Sequence, residues 1–393
     1  MVSSAFSFQL DHTDGDARAG KFSTPHGTVS TPVFSAVATQ ATVKGLVPDE
    51  VVGLGAEMVL CNAYHLYLRP GIGAVEQMGG LHRFMGWSKP ILTDSGGFQA
   101  FSMGALRKID DDGIRFRSHI DGSDHWLGPE SAIANQRRLG ADILMCLDQC
   151  IAYGVSEKEV RDAMELTHRW AEICYQSHRA SGVSDEQALF GIIQGGAFTE
   201  LRNESARFIT SIPFKGYAIG GLAVGESKAQ MYEIAGLVAG QLPQDKPRYL
   251  MGVGSPEDLV ECVSLGIDMF DCVLPTRVAR NGALFTRQGR VDITKRRFAD
   301  QTAPLDDDCD CYTCQHFSAG YLWHLFRAKE LLAPRLATIH NLRFIYKLMA
   351  EMRDAIVHDR FQQFRGDFRS AYHPTDEVAR QKQKEKWLQA RGG

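Results

Sequence analysis

The feature that most constrains the fold of this chain is a recurring short apolar run. Such runs, rich in β-branched residues, each end in polar residues or glycine. Most are separated by segments with helical periodicity, among them 156–177, 200–212 and 227–241. Ser156, followed three residues later by Glu159, is a helix N-cap signal. The eight runs begin at Pro32, Met58, Pro90, Ala141, Leu189, Gly216, Arg248 and Asp268.

Eight buried strands that alternate with helices predict an α/β fold, the (β/α)8 TIM barrel. A doubly wound parallel sheet is the alternative, because counting strands does not separate the two folds. The barrel makes the sharper prediction, since its active-site groups cluster at the C-terminal ends of strands. Polar residues stand at those positions here: Asp94, Asp148, Gln194, Gly221 and Asp271.

Four segments lie outside a minimal barrel. Glycines punctuate residues 1–31 and predict an N-terminal β-element, and alternating polarity over 105–128 predicts a β-insertion. Residues 277–345 carry a cysteine cluster and form a predicted zinc-binding subdomain near the C-terminal end. We expect one catalytic domain over residues 1–373, followed by a charged C-terminal tail over 374–393.

Charge and hydropathy narrow the class of protein. The formal net charge is −4, so nucleic-acid binding would need a local basic patch. No stretch offers the roughly 18 apolar residues of a membrane helix, and the N-terminal residues lack the features of a signal peptide. We therefore expect a cytoplasmic protein with no membrane partner, and its scattered cysteines fit reduced, buried thiols.

Three cysteines are clustered instead of scattered. Cys309, Cys311 and Cys314 form a C-x-C-x-x-C motif in a polar segment that offers no core to bury free thiols. Zinc takes four thiolate or imidazole ligands, and a closed shell of four is structural. Spacing alone leaves the fourth ligand open among His316, His324 and His340.

Two aspartates at strand ends are candidates for glycosidic chemistry. Asp94 lies in TDSGGFQ, and Asp271 lies in FDCVLPTR with apolar neighbours on both sides. Retaining glycosyl transfer uses one carboxylate as nucleophile and one as acid/base, with the carboxyl groups about 5 Å apart. Taken singly, either aspartate is better explained as a turn or cap residue. An ionised group among apolar residues needs a compensating role, which favours function for Asp271.

Other strand ends offer groups that could hold a planar base. Asp148 and Gln194 provide acceptors and donors for a polar purine edge. Glycines such as Gly221 would let backbone amides approach a ligand closely. Phe98 and Met251 could stack on the two faces of a base, although both fit the core equally well.

A basic segment follows Asp271. Only Asp292 opposes seven cations in the stretch 277–297, which makes this stretch a phosphate-binding candidate. The cations are Arg277, Arg280, Arg287, Arg290, Lys295, Arg296 and Arg297.

From about Phe6 to His373 the sequence resembles the tRNA-guanine transglycosylase family. The motifs that carry the resemblance are LTDSGGFQ, FDCVLPTR with the following RNG, IGGLAVGE, and C-x-C-x-x-C with a distant histidine. The resemblance implies a TIM barrel with a zinc-binding insertion. It also implies exchange of the wobble guanine of GUN-anticodon tRNAs through a covalent tRNA–enzyme intermediate, as a step in queuosine biosynthesis.

The resemblance assigns a role to individual residues. Asp271 matches the nucleophile and Asp94 the general acid/base. Asp148, Gln194 and Gly221 match base-holding residues, and the backbone carbonyl of Leu222 matches a contact to the substrate's aminomethyl group. One structural zinc ion would be held by four matching ligands: Cys309, Cys311, Cys314 and His340. The resemblance further implies a homodimer, and RNA contacts from Arg277, Arg280, Lys295, Arg296 and Arg297 are expected.

Two pocket positions bear on the incoming base. Val224 stands where eukaryotic members of the family tend to have glycine to admit queuine, and Cys150 follows the bacterial pattern. We therefore expect preQ1, with guanine as the exchanging base. Phe98 departs from the tyrosine of some members, which keeps a stacking face and loses a hydroxyl.

Two rival functions predict different sequences. A glycoside hydrolase would share the carboxylate pair, but it predicts aromatic sugar platforms and leaves the cysteine cluster unexplained. A non-catalytic RNA-binding partner subunit would be expected to lose Asp94 or Asp271, and both are present.

Overall fold

The structure is a computed structural model that describes residues 6–97, 107–182 and 186–374. Phe98 and the tail beyond residue 374 lie outside these residues. The described residues contain sixteen strands: β1 (Ser7–Asp14), β2 (Ala17–Thr24), β3 (Gly27–Thr31), β4 (Val33–Val37), β5 (Val59–Cys61), β6 (Ile91–Thr93), β7 (Arg107–Asp110), β8 (Gly113–Arg117), β9 (Asp124–Leu127), β10 (Ile143–Met145), β11 (Ala188–Ile193), β12 (Gly216–Ile219), β13 (Arg248–Leu250), β14 (Met269–Cys272), β15 (Ala283–Thr286) and β16 (Gly289–Asp292).

Fourteen α-helices are found in the same residues: α1 (Pro48–Gly53), α2 (Ala63–Leu68), α3 (Ile72–Gln77), α4 (Gly80–Met85), α5 (Pro129–Leu139), α6 (Glu157–Ala180), α7 (Thr199–Ser211), α8 (Lys228–Ala239), α9 (Pro256–Ser264), α10 (Leu274–Arg280), α11 (Tyr312–His316), α12 (Ala319–Ala328), α13 (Leu332–Val357) and α14 (Phe361–Ala371). A 3-10 turn covers Arg296–Phe298. None of the helices described is long and apolar enough to cross a membrane.

The eight predicted strands close into a barrel. Strands β4, β5, β6 and β10 to β14 pair in chain order, and β14 returns to β4. Every pair is parallel, which identifies the TIM barrel and rules out the open doubly wound sheet. Apolar side chains fill the interior, among them Leu60, Ile143 and Phe190. Each contributes about 1.5–3 kcal/mol of burial energy.

The predicted N-terminal β-element and the predicted β-insertion both form sheets. Strands β1 to β3 form an antiparallel sheet ahead of the barrel. Strands β7 to β9 form a second antiparallel sheet inserted between β6 and α5. The predicted cap of α6 is also present, because Ser156 Oγ accepts from the Glu159 backbone N–H and the Glu159 carboxylate accepts from that of Ser156.

Two buried aspartates anchor the N-terminal ends of barrel strands. Asp268, one residue before β14, accepts a hydrogen bond of 3.1 Å from Arg18 Nε and one of 2.8 Å from the Arg248 backbone N–H. Asp142, one residue before β10, lies 2.7 Å from His26 Nδ1 and 3.1 Å from His82 Nε2. The Arg18–Asp268 ion pair and the contacts of Asp142 with two histidines therefore hold this end of the barrel, the end where TIM barrels concentrate stability.

The described residues divide into two compact units. The first runs to Val273 and includes Tyr346–Phe361, and the second comprises Leu274–Ile345 with the residues from Gln362 on. Within the second unit, Asn341 is a central polar anchor. Its Nδ2 donates to the carbonyls of Pro275 and Ala283, and its Oδ1 accepts from the N–H of Phe285.

Candidate active site

Asp94 follows β6 and is held by the start of α2. Its carboxylate accepts a hydrogen bond of 2.8 Å from the Ala63 backbone N–H and another from Asn62 Nδ2. The side chain is buried with 9% exposure. Both of these donors are neutral groups.

Asp271 occupies the C-terminal end of β14. Its Oδ1 accepts hydrogen bonds of 2.5 Å from Tyr249 Oη and 2.9 Å from the Gly252 backbone N–H. Burial raises the pKa of Asp271, and these two donors act against that rise. In the described part of the chain no donor binds Oδ2, which leaves that oxygen available for attack on an electrophile.

Asp148 and Gln194 form a buried pair at the ends of β10 and β11. Gln194 Nε2 donates to Asp148 Oδ2 over 2.6 Å. Burial, with the negative charge of Asp94 adding to it, raises the pKa of Asp148 to about 6. A carboxylate beside an amide offers acceptors to the N–H groups of a heterocyclic base.

The turn after β12 packs directly on Gln194. A Cβ at Gly221 would lie 2.3 Å from Gln194 Oε1, and one at Gly220 would lie 2.7 Å from Gln194 Nε2. Gly221 also has a φ of +66°, which L side chains rarely adopt. Only glycine allows the backbone to approach the amide this closely.

The loop that continues from Gly221 is closed by Glu226. Its carboxylate accepts hydrogen bonds from the backbone N–H groups of Ala223, Val224 and Gly225. A pocket of about 210 Å³ opens beside this loop and is lined by Gly221, Leu222 and Val224, with Tyr153 and Phe198 among its other walls. The pocket is roomy enough for a group attached to a base.

Arg202 on α7 is fully buried beneath the same two strand ends. Its guanidinium donates to the carbonyls of Ile193 and Gly196 over 2.9 and 2.8 Å and to that of Gly220 over 2.8 Å. Sequence reasoning missed Arg202, because a lone arginine on a helix gives no signal of burial. Tyr249 and Asn62, which bind the two candidate catalytic carboxylates, were missed for a similar reason, since contacts between strands depend on barrel closure.

Of the two base-stacking candidates, Met251 alone lies within the described residues. Met251 follows β13, is half-buried and packs against the barrel core. Phe98 lies outside the described residues. Asp94, Asp148, Gln194, Gly221 and Asp271 all lie at the C-terminal ends of the strands, as the sequence predicts for a barrel.

The four predicted metal ligands converge within the second unit. Cys309, Cys311, Cys314 and His340 are buried, and their ligand atoms lie within 4.8 Å of one another. His340 Nδ1 lies 3.6, 3.5 and 3.3 Å from the three sulfurs. A tetrahedral zinc with bonds of about 2.3 Å to sulfur and 2.0 Å to nitrogen places such atoms about 3.6 Å apart.

Hydrogen bonds around this group suit a metal site. His340 Nε2 lies 2.6 Å from the Phe285 carbonyl, so the proton belongs on Nε2 and the lone pair of Nδ1 faces the sulfurs. The Cys314 N–H donates to Cys311 Sγ. His316 contacts the Tyr312 carbonyl instead. This buried Cys3His group could therefore hold a metal ion.

The predicted RNA-binding cations differ in their partners. Lys295 pairs with Asp292 over 3.4 Å and Arg296 pairs with Asp300 over 2.9 Å. Arg297 is exposed and stacks over the Phe298 ring at 4.7 Å, and no carboxylate pairs with it among the residues described. Arg280 Nη1 donates to the Thr276 carbonyl, which leaves Arg277 and Arg297 as the more available cations of the set.

Comparison with known proteins gives one consistent result. Residues 13–374 match the family model described as queuine tRNA-ribosyltransferase. The queuine tRNA-ribosyltransferase of Herpetosiphon aurantiacus is 55% identical over 376 residues, covering 96% of this chain and 95% of the relative. That of Dehalococcoides mccartyi strain 195 (ATCC BAA-2266) is 53% identical over 98% of both chains. That of Moorella thermoacetica is 55% identical over 91% of this chain and 95% of the relative.

Proposed function

Because this chain belongs to the queuine tRNA-ribosyltransferase family, we propose that it exchanges the wobble guanine of GUN-anticodon tRNAs for preQ1. The chain is a tRNA-guanine transglycosylase of queuosine biosynthesis, and hence a pentosyltransferase. The observation that carries the detailed proposal is the set of three aspartates at one end of the barrel, each of which accepts hydrogen bonds from neutral donors. We assign this chemistry to one catalytic domain over residues 1–373.

Asp271 is the proposed nucleophile. Its Oδ2 attacks the ribose anomeric carbon as the bond to guanine breaks, and an ester between tRNA and enzyme results. Tyr249 Oη and the Gly252 N–H hold Oδ1 on the other side, so the carboxylate is aimed before substrate arrives. These donors also favour the ionised form of this half-buried group, which attack requires.

Asp94 is the proposed general acid/base. A proton delivered to the leaving guanine neutralises the charge that develops on the base, and the resulting carboxylate then deprotonates the incoming base. Asn62 Nδ2 and the Ala63 N–H orient the carboxylate for both transfers. Because both bases use the same pocket in turn, the reaction follows ping-pong kinetics.

The base is held by Asp148, Gln194 and Gly221 in this proposal. The Asp148 carboxylate accepts from ring and amino N–H groups, and the Gln194 amide and the Gly221 backbone meet the opposite edge of the base. Leu222 offers its carbonyl to the aminomethyl group of preQ1, while Met251 stacks on the base. The stacking role expected for Phe98 stays a prediction.

Val224 supports preQ1 over queuine as the incoming base. Its side chain is half-buried and lines the pocket beside Leu222, where a cyclopentenediol ring attached to the base would need space. We expect Val224→Gly to gain incorporation of queuine, measured with labelled base. Unchanged base preference in that variant would contradict this part of the proposal.

One zinc ion is the proposed cofactor. The Cys3His group supplies four ligands and no open position, so the ion stabilises the second unit and takes no part in bond breaking. The exposed cations Arg277 and Arg297 are the favoured phosphate contacts, because Lys295 and Arg296 are already paired and Arg280 binds the Thr276 carbonyl. Since tRNA is the substrate, we place the enzyme in the cytoplasm.

A homodimer is the proposed assembly. The second unit exposes an aromatic cluster in which Tyr312 is 54% and Tyr321 is 40% exposed, with His316 and Phe317 stacked beside them. Exposed apolar patches of this kind mark protein interfaces. Sedimentation of wild type and Tyr321→Glu tests this assembly, and a dimer unaffected by the charge would contradict an interface at this cluster.

The first experiment measures incorporation of labelled guanine and, separately, preQ1 into unmodified GUN-anticodon tRNA. Wild type should incorporate both, with preQ1 favoured, and Asp271→Asn should incorporate neither. An Arg207→Gln variant on the exposed side of α7 is the matched control and should behave as wild type. No incorporation by folded, zinc-loaded wild type would favour the non-catalytic RNA-binding subunit.

A further inference from the structure

Arg202 is a buried cation that binds only backbone carbonyls in the described structure. Its side chain is fully buried, and burial lowers its pKa to about 10, so it remains charged at neutral pH. Described residues provide no carboxylate at salt-bridge distance from it. Burying a charge without a paired carboxylate lowers the stability of the fold. Its presence here therefore favours a functional role for its hydrogen bonds.

The carbonyls bound by Arg202 belong to two loops of the base site. Its Nη1 donates to the carbonyls of Ile193, which precedes Gln194, and Gly220, which precedes Gly221. Its Nη2 reaches the Gly221 carbonyl at 3.4 Å. One guanidinium thus ties the end of β11 to the turn after β12, with its planar fork matching the separation of the acceptors.

The orientation of these peptides also fixes the direction in which their N–H groups point. In a planar trans peptide the C=O and N–H point in opposite directions. Holding the carbonyls of Gly220 and Gly221 toward Arg202 therefore directs the N–H groups of Gly221 and Leu222 away from it. Throughout the described ranges neither N–H donates a hydrogen bond, although the next three N–H groups of the loop all bind Glu226.

We propose that Arg202 is a positioning residue that presents the N–H groups of Gly221 and Leu222 as paired donors to the exocyclic oxygen of the base. The inference rests on the proposed function, because it takes guanine-type bases as the ligands of this site. Among the acceptors of guanine, the exocyclic oxygen is the one that a 6-amino base replaces with a donor. Arg202 thereby sets the preference for a 6-oxo over a 6-amino purine.

The buried charge strengthens these donors. A guanidinium bound to a peptide carbonyl polarises the peptide, and this makes its N–H a better donor in a site of low dielectric. The effect grows when negative charge develops on the departing guanine, because donors fixed in advance stabilise that charge without reorganisation. Arg202 itself does not touch the base and acts through the two peptides.

The experiment measures dissociation constants of the zinc-loaded enzyme for guanine and for 2,6-diaminopurine, without tRNA. In Arg202→Gln, we expect guanine binding to weaken about 10-fold to 100-fold, as for loss of hydrogen bonds to a charged group. Binding of 2,6-diaminopurine should change less than about threefold, because its 6-amino group gains nothing from the two donors. Arg202→Lys should recover part of the preference, since it keeps the charge but loses the planar fork.

Controls separate positioning from general loss of structure. Arg207→Gln, an exposed position on the same helix, should bind both bases as wild type does. Thermal unfolding checks that each variant is folded, and Arg202→Lys carries the test if Arg202→Gln fails to fold. Equal weakening of both bases in the Arg202 variants, or unchanged guanine binding, would overturn the proposal. Since these constants are measured without tRNA, they stand apart from success or failure of the exchange reaction.

Discussion

Two strands of the barrel have an aspartate at each end, and the aspartates at the two ends differ in their hydrogen-bond partners. Asp142 and Asp268 precede β10 and β14, and they are paired with His26, His82 and Arg18. Asp148 follows β10 and Asp271 lies at the C-terminal end of β14, and within the described residues only neutral donors bind them. We infer that the same side chain is a structural anchor beside arginine or histidine and a reactive group beside neutral donors.

On β10, the pKa values of the two aspartates differ in the direction that their partners predict. Hydrogen bonds from His82 and His26 outweigh burial and lower the pKa of Asp142, whereas burial raises the pKa of Asp148 to about 6. Groups with perturbed pKa values mark functional sites, because evolution retains an uncompensated charge only where it is used. On β10, Asp148 therefore gives up stability that Asp142 keeps.

The largest expected effect comes from Asp271→Asn. Removing the proposed nucleophile should lower turnover by about 1000-fold or more. The same change removes a half-buried charge held only by neutral donors among the described residues, so the free energy of unfolding should equal or exceed that of wild type. Steady-state exchange of labelled guanine and urea unfolding measure the two quantities. A variant that loses stability together with activity would break the comparison between the two ends.

Asp268→Asn is the matching change at the other end of β14. It leaves the buried guanidinium of Arg18 without its carboxylate, which should cost about 3–5 kcal/mol of unfolding free energy. Turnover per folded molecule should stay within about twofold, because Asp268 lies away from the chemistry. Urea unfolding and exchange rates per folded enzyme test this prediction. Wild-type stability in Asp268→Asn would show that the ion pair contributes nothing.

Protonation of Asp148 should limit base binding at low pH. Folding raises its pKa from 3.8 to about 6. Its protonated form therefore favours the folded state, and this stabilisation is lost as pH rises through about 6, while base binding needs the ionised form. We expect guanine affinity to fall about tenfold per pH unit below this pKa. Binding measured from pH 4.5 to 8 should show the loss in wild type, and Asp148→Asn should bind weakly with no inflection near 6.

The smallest expected effect is that of Tyr249→Phe. This variant loses one donor to Asp271 and leaves the Gly252 N–H in place, so turnover should fall about tenfold, the equivalent of one such hydrogen bond. The pKa of Asp271 should rise further, because a donor to its ionised form is gone. The acid limb of the pH–rate profile should therefore move to higher pH. An unshifted limb would mean that Tyr249 packs against Asp271 without tuning it.

The fold, and the aspartates at the C-terminal ends of the barrel strands, were predictable from the sequence. Each of the eight barrel strands is a local apolar run, and Asp94, Asp148 and Asp271 stand directly after such runs. The partners that decide how each carboxylate behaves were not predictable. Tyr249 and Asn62 reach Asp271 and Asp94 from neighbouring segments, and Arg18 reaches Asp268 across 250 positions. Those contacts are set by strand register and barrel closure, which no local pattern encodes.

The Cys3His group was likewise only partly predictable from the sequence. The spacing of Cys309, Cys311 and Cys314 predicted a metal site, because three ligands lie within one short segment. The choice of His340 over His316 depended on resemblance, since it lies on a helix far along the chain. The hydrogen bond from His340 to the Phe285 carbonyl, which fixes its tautomer, appears only in three dimensions.

Trapping of the covalent intermediate tests the central claim most directly. Zinc-loaded enzyme is mixed with unmodified GUN-anticodon tRNA, quenched in denaturant and resolved by denaturing gel. We predict a protein–tRNA adduct with wild type that disappears on addition of guanine or preQ1, and no adduct with Asp271→Asn. An adduct of equal yield in Asp271→Asn would contradict the assignment of Asp271 as nucleophile and the view that this end of the barrel holds the reactive carboxylates.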